Sequence, residues 1–224
     1  MITLIIPCLN EKSNINLILK NINIFNKNKH LIVDGGSNDN SKELYIKNKI
    51  NFITTFPSRG LQQKKGAEKS DTEWLFFLHA DTELNIKNIL EIEHFTHNNK
   101  YKIAFFKILF REKKFLAKLI SVWANFRTIV FKLPFGDQGL LISRDYYFEL
   151  GGHPKEKIME DIEFVLKVPK KKRVLLKSKV LTSFRNYQKN GIILQGAVHI
   201  LCQVMFLLNF NRKLIYKIYK FYEK

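Results

Sequence analysis

Four short runs of aliphatic, β-branched and aromatic residues, at 2–6, 30–33, 50–55 and 74–78, alternate with stretches whose apolar residues recur at helical spacing. Each run is bounded by turn-forming residues, and its continuous apolar character marks a strand covered on both faces. Between them, Ile15, Ile18, Leu19 and Ile22 give the segment 13–24 one apolar stripe, and 41–48 and 60–70 read as further helices. Strand and helix in this rhythm build βαβ units, with parallel strands and helices on the faces of the sheet. The expected fold is therefore α/β, a Rossmann-like, mainly parallel central sheet flanked by helices. In such sheets ligands bind beyond the carboxyl ends of the strands.

After residue 85 the pattern predicts a helix at 86–97, a strand at 101–110 and an aromatic helix at 114–131 built on Phe115, Leu119, Trp123 and Phe126. A turn at 134–139, a strand at 139–143 and a helix at 145–150 follow, the last ended by Gly151 and Gly152. The segment 158–168 predicts a helix whose first turn holds Glu160, Asp161 and Glu163, where the helix dipole favours carboxylates. With 224 residues and 46% apolar content, the chain can bury about 70% of its unfolded surface, enough for one domain with a core. That domain is expected over 1–188, with a helical extension at 189–224.

Asp34 and Asp81 stand at predicted strand ends, and Asp161 stands at a predicted helix start, an arrangement that can gather carboxylates around one ligand. In VDGGSNDNS, Gly35 and Gly36 permit tight or left-handed backbone, and Ser37 to Ser41 offer side-chain caps for the next helix. A turn needs no acid at 34, so Asp34 is a candidate contact for the base or ribose of a nucleotide. In LFFLHADT, His79, Ala80 and Asp81 directly follow a strand. A carboxylate there can hold Mg²⁺ or Mn²⁺, ions that share ligands with substrate phosphates, while the plainer role for Asp81 or Thr82 is a helix N-cap. In PFGDQGLLISR, Asp137 and Gln138 sit on a turn from which they can project into an acceptor cleft. Neither GxGxxG nor GxxxxGK[ST] occurs, which disfavours NAD binding and ATP hydrolysis.

Taken in order, IIPCLNE (5–11), DGGSNDNS (34–41), RGLQQKKGA (59–67), LHADT (78–82), GDQGLLISR (136–144), GGHP (151–154) and MEDIEF (159–164) resemble the family 2 glycosyltransferases of GT-A fold. The likeness is greatest to the subgroup associated with radical-SAM and selenodomain proteins. It implies inverting transfer of a sugar from a UDP- or GDP-sugar donor to an acceptor hydroxyl. By the same likeness Pro7, Asn10, Glu11 and Asp34 would contact the nucleoside. Gly35, Arg59, Gly60, Gln63, His79 and Ala80 would border the nucleotide pocket. Asp81 would bind the metal, Asp161 would be the general base, and Glu160 would hold acceptor hydroxyls or shape the loop. One departure stands out, since family members commonly carry Asp-x-Asp where this chain has His79-Ala80-Asp81.

The formal charge of +18, from 38 basic and 20 acidic residues, suits a nucleic acid, a phospholipid surface or an anionic substrate. Lysine is spread through the chain along with Asn and Ile, as for an ordinary solvated surface. Acids clustered at strand and helix edges would repel a polyanion, so no nucleic-acid partner is expected. The alternative to an enzyme is a basic binding protein that has kept this fold and lost its activity. Cys8 and Cys202 show no metal or disulfide spacing, and MITLIIPCLNEK reads as a first strand rather than a signal peptide. A cytoplasmic location is expected, with the inner membrane face as an alternative. Residues 192–210 approach the length of a membrane span, yet Gln195, His199 and Gln203 line one face. A helix packed on protein and a helix lying in the membrane interface both fit, and the basic, aromatic tail NRKLIYKIYKFYEK suits either. His199 reads as a hydrogen-bonded structural residue.

Overall fold

The computed structural model describes residues 1–25, 28–156, 158–185 and 191–222. Seven strands form one sheet: β1 (Ile2–Cys8), β2 (Lys29–Asp34), β3 (Phe52–Thr54), β4 (Trp74–Phe77), β5 (Ile103–Phe110), β6 (Leu140–Ser143) and β7 (Arg173–Thr182). Their order is β3-β2-β1-β4-β6-β5-β7. β1 to β4 pair in parallel, β6 is antiparallel to both β4 and β5, and β5 is parallel to β7. The expected α/β architecture is present, with one reversed strand inside a parallel sheet.

The absence of polar alternation in the strands has a direct cause. Leu4, Ile6, Trp74 and Phe76 enter one buried cluster, which also takes Ile18 of α1 (Ile15–Ile24) and Ile92 and Phe95 of α4 (Ile86–Thr96). The intervening Ile5, Leu75 and Phe77 enter a second cluster on the other face. There they meet Ala67 of α3 (Arg59–Lys69), Tyr147 of α6 (Arg144–Glu149) and Phe164 of α7 (Glu160–Leu166). A period of two with both phases apolar requires helices on both faces, and they are there. The α4 helix starts at Asn85, whose side chain accepts from Lys87 and Asn88 N–H in a capping box. The cap is thus neither Asp81 nor Thr82. The helix α2 (Ser41–Lys47) lacks a side-chain bond from its own cap residue, Asn40; Asp39 instead accepts from Ser41 N–H and Oγ.

The expected helix is α5 (Phe115–Phe131), and it turns its large residues outward. Ala117, Ser121, Ala124 and Thr128 face inward, whereas Phe115, Leu119, Trp123 and Phe126 are all about half exposed or more. Its small residues allow close approach to β5, where Asn125 brackets Ile108 by donating to its carbonyl and accepting from its N–H. At the C-terminus, α8 (Ile192–Leu207) and α9 (Arg212–Tyr222) pack through Val198, Cys202, Met205 and Ile215 against Met159 and Ile162. An Arg212–Glu163 ion pair ties α9 to α7. Among the described residues no helix is long and apolar enough to cross a membrane. The predicted boundary at 188/189 lies outside the described residues.

Candidate active site

A cavity of about 570 Å³, within the size of small-ligand sites, opens at the carboxyl end of the sheet. Pro7 lies near the end of β1 and Glu11 follows that strand, His79 and Asp81 follow β4, and Arg59 begins α3. Asp137 lies in the turn before β6, and Glu160 and Asp161 open α7. All eight were singled out from sequence, and all eight line this one cavity.

Asp161 is fixed by two backbone donors: Oδ2 accepts from Gly136 N–H at 2.7 Å and Oδ1 from Ile162 N–H at 2.8 Å. Glu160 is 1% exposed, with Oε1 at 3.6 Å from Arg59 Nη1. Burial outweighs that cation and raises the Glu160 carboxyl. Burial likewise raises Glu11, where Asp81 adds to the effect, and it raises Asp81 against the pull of Arg59. It lifts Asp137 to about 6, against Arg127. The His79 imidazole is held neutral by burial and by Arg59, well below its ordinary value. Its Nε2 has no hydrogen-bond partner and is directed at Gly136, where a Cβ would run into the ring. Glycine at 136 is therefore required for His79 and Asp161 to meet the same backbone turn. Among the described residues, no group of three or more His, Cys, Asp or Glu side chains is placed to hold a metal ion by itself. An ion there must take further ligands from its substrate, as Mg²⁺ and Mn²⁺ do with phosphates.

The remaining sequence candidates lie around the cavity rather than on it. Asp34 is fully buried, with Oδ1 accepting from Gly36 and Ser37 N–H and Oδ2 from Ser37 Oγ; it closes the turn after β2. Asn10 is exposed and bonds the same loop through Ser37 Oγ and Asn38 N–H. Gly35 lies against the Gln62 side chain, and Gly60 passes so near the Pro154 carbonyl that a side chain there would collide with it. Ala80 is a core residue. Gln138 does not project into a cleft: it is fully buried, donating to Phe106 O and accepting from Thr128 Oγ1 and Phe135 N–H, so it locks the turn that carries Asp137. Gln63 is buried away from the cavity. Its neighbour Gln62 lines it and donates to both Cys8 O and Val33 O, stitching the ends of β1 and β2 together. The signal was present, because a helix starting at 59 puts 62 and 66 on one face, and Gly66 packs on Ile5 and Val33.

Sequence reasoning missed the far wall. Arg127 of α5 stacks over Phe135 at 3.7 Å and donates to Gln203 Oε1 at 3.2 Å. His199 stacks on Tyr219 with rings 5.7 Å apart and bonds Gln195, and burial followed by the Arg127 charge lowers it to about 4. Gln203, His199, Tyr216 and Tyr219 all line the cavity. The polar stripe of 195, 199 and 203 was visible in sequence, but its partner surface was not.

A cavity at the carboxyl end of a mainly parallel sheet with one antiparallel strand is the arrangement of the GT-A fold. The sequence profile described as Glycosyl transferase family 2 matches residues 3–129, over half of the chain. The chain belongs to that family and is a glycosyltransferase. Solved structures of similar fold include glucosyl-3-phosphoglycerate synthase from Mycobacterium tuberculosis in complex with Mn²⁺, UDP-glucose and glycerol 3-phosphate (TM-score 0.67, 11% identity, 94% of this chain and 81% of that one). The mannosyltransferase PcManGT from Pyrobaculum calidifontis, in complex with GDP-Man and Mn²⁺, is similar at TM-score 0.65 and 14% identity, over 90% of this chain and 62% of that one. TarS 1–349 of S. aureus follows at 0.61 and 15%, over 97% and 69%. No curated protein matches the sequence.

Proposed function

We propose that this chain transfers a sugar from a UDP- or GDP-sugar to an acceptor hydroxyl with inversion, Asp161 acting as general base. The observation that carries the reading is the meeting of Asp81, from the end of β4, with Glu160 and Asp161, from the start of α7, in one cavity. In support, the fold is shared with proteins solved with UDP-glucose, GDP-Man and Mn²⁺.

Asp81 fits a divalent ion, because burial disfavours its carboxylate and a cation would restore it. Mn²⁺ or Mg²⁺ held there would stabilise the charge of a departing nucleoside diphosphate as a Lewis acid. Arg59, half-exposed and lining the cavity beside Glu160, would pair with phosphate oxygens. The two backbone donors on Asp161 set its orientation before substrate arrives, which is the preorganisation a base needs. The acceptor proton passes to Asp161 as the acceptor oxygen bonds the anomeric carbon. The anomeric bond to the diphosphate breaks on the opposite face, inverting that carbon. General-base catalysis supplies about 10²–10⁴-fold. Glu160, paired with Arg59, shapes the base's surroundings, and Asp137, which lines the same cavity, would meet acceptor hydroxyls. We take 1–188 as the catalytic unit and 189–224 as its extension, whose helices α8 and α9 supply His199, Gln203, Tyr216 and Tyr219 to the cavity.

A donor panel tests the reading. A UDP- or GDP-sugar with Mn²⁺ should raise the melting temperature, with about 2.7 kcal/mol of stabilisation at 100 times the dissociation constant, and EDTA should remove the shift. Nucleoside diphosphate release in the presence of an acceptor then reports transfer. Absence of any shift across the panel refutes donor binding.

A further inference from the structure

The outward face of α5, continued on α8 and α9, carries large apolar residues that the described residues leave uncovered: Trp123, Phe126 and Val130 on α5, Val204 and Leu207 on α8, and Phe221 on α9 are each about half exposed or more. On α5 the arrangement is the reverse of a soluble amphipathic helix, which buries its large residues and exposes its polar ones. The Arg127–Gln203 bond lays α5 beside α8, and α8 packs on α9, so the three helices adjoin. Contiguous exposed apolar surface of this kind marks a contact with a partner or a membrane.

Charge distinguishes between those occupants. No Asp or Glu occurs from Lys113 to Phe135, and none from Phe164 to Tyr222, a stretch with thirteen Lys and Arg. Lys113, Lys114 and Lys118 flank the start of the α5 face, and Lys213, Lys217 and Lys220 are interleaved with Leu214 and Phe221 on α9, all exposed. Apolar side chains edged by one sign of charge match an interface with acyl chains beneath and anionic headgroups around it. A surface that paired with a second copy of itself would set those lysines against one another.

We infer that the outer face of α5, α8 and α9 docks on an anionic phospholipid bilayer. Trp123 and Phe126 enter the headgroup boundary, and the lysines hold the lipid phosphates. The inference does not rest on the proposed transfer reaction. The same three helices also supply Ile120, Arg127, His199 and Tyr219 to the cavity wall, so docking sets that wall beside the lipid surface.

The test is flotation of the full chain with phosphatidylcholine vesicles, with and without phosphatidylglycerol. Binding should require the anionic lipid and weaken as salt rises. Trp123→Ser with Phe126→Ser, both outside the cavity, should cut the floated fraction at least tenfold while melting temperature stays unchanged. Lys213→Glu with Lys217→Glu and Lys220→Glu should abolish the preference for anionic lipid. Two results overturn the inference. One is folded, monomeric chain that fails to float with anionic vesicles. The other is a stable dimer by light scattering that Trp123→Ser with Phe126→Ser dissociates, which would assign the face to a second copy.

Discussion

Asp137→Asn should stabilise the protein at neutral pH and lose that advantage in acid. Burial, opposed by Arg127 and reinforced by Asp161 and Asp81, lifts the carboxyl from 3.8 to about 6. Between these values the folded state holds more protons than the unfolded state, so stability falls as pH rises. The contribution is intact below the unfolded value and lost once pH passes the folded one. Two units at 1.36 kcal/mol each come to about 3 kcal/mol, and partial solvent access reduces this to about 2. Asn carries no charge, so the unfolding free energy of the variant relative to wild type should grow by about 2–3 kcal/mol between about pH 4 and pH 8. For a domain of this size that is about 5–10 °C in melting temperature. Urea titrations of both chains at a series of pH values measure the difference, and taking it at each pH cancels most of what Glu11, Asp81 and Glu160 add. A difference that is constant with pH refutes the claim that Asp137 is held desolvated and charged in the native state.

Asp161→Asn should retain nucleotide-sugar binding while turnover falls at least about a hundredfold; unchanged turnover in a product-release assay removes the base assignment. Asp81→Ala should weaken donor binding in Mn²⁺ and make metal-free binding no weaker, by calorimetry with and without EDTA. Gln138→Ala leaves the Phe106 carbonyl and the Phe135 N–H without their buried partner, and should cost about 3 kcal/mol by chemical denaturation. Gly136→Ala forces His79 or the turn to move, at about 1–3 kcal/mol, and should lower activity with donor affinity kept.

Much of this fold was legible because its sheet is covered twice. A strand such as LIIP or WLFF, apolar in both phases, has few places to lie except between two helical layers, and the turns bounding each run set its length. On α5 the same logic does not settle which face is covered. Apolar spacing there predicted a helix correctly, but spacing reports only that residues share a face, not whether protein covers that face. The small residues at 117, 121, 124 and 128 were an equally regular stripe, and close packing on β5 selected them for the inside. For Gln138 and Gln63 the limit was different, because a turn or helix start locates a residue without fixing which way its side chain points.

The cavity reverses the sign of the chain around it, and this bears on what it can bind. Five of its lining residues are carboxylic acids, Glu11, Asp81, Asp137, Glu160 and Asp161, against three arginines, in a protein of net charge +18. A basic exterior draws anions in, yet bare diphosphate would meet these carboxylates at close range. Burial has raised four of the five, so the protein alone leaves them poorly satisfied. A divalent ion entering with the diphosphate answers both conditions, neutralising the ligand and lowering the acids it approaches. Donor affinity should therefore depend on the cation more strongly as pH rises from about 5 to 8 and Asp137 and its neighbours ionise. Equal cation dependence at both ends of that range, measured by titration calorimetry, would show that the acids do not act on the donor through charge.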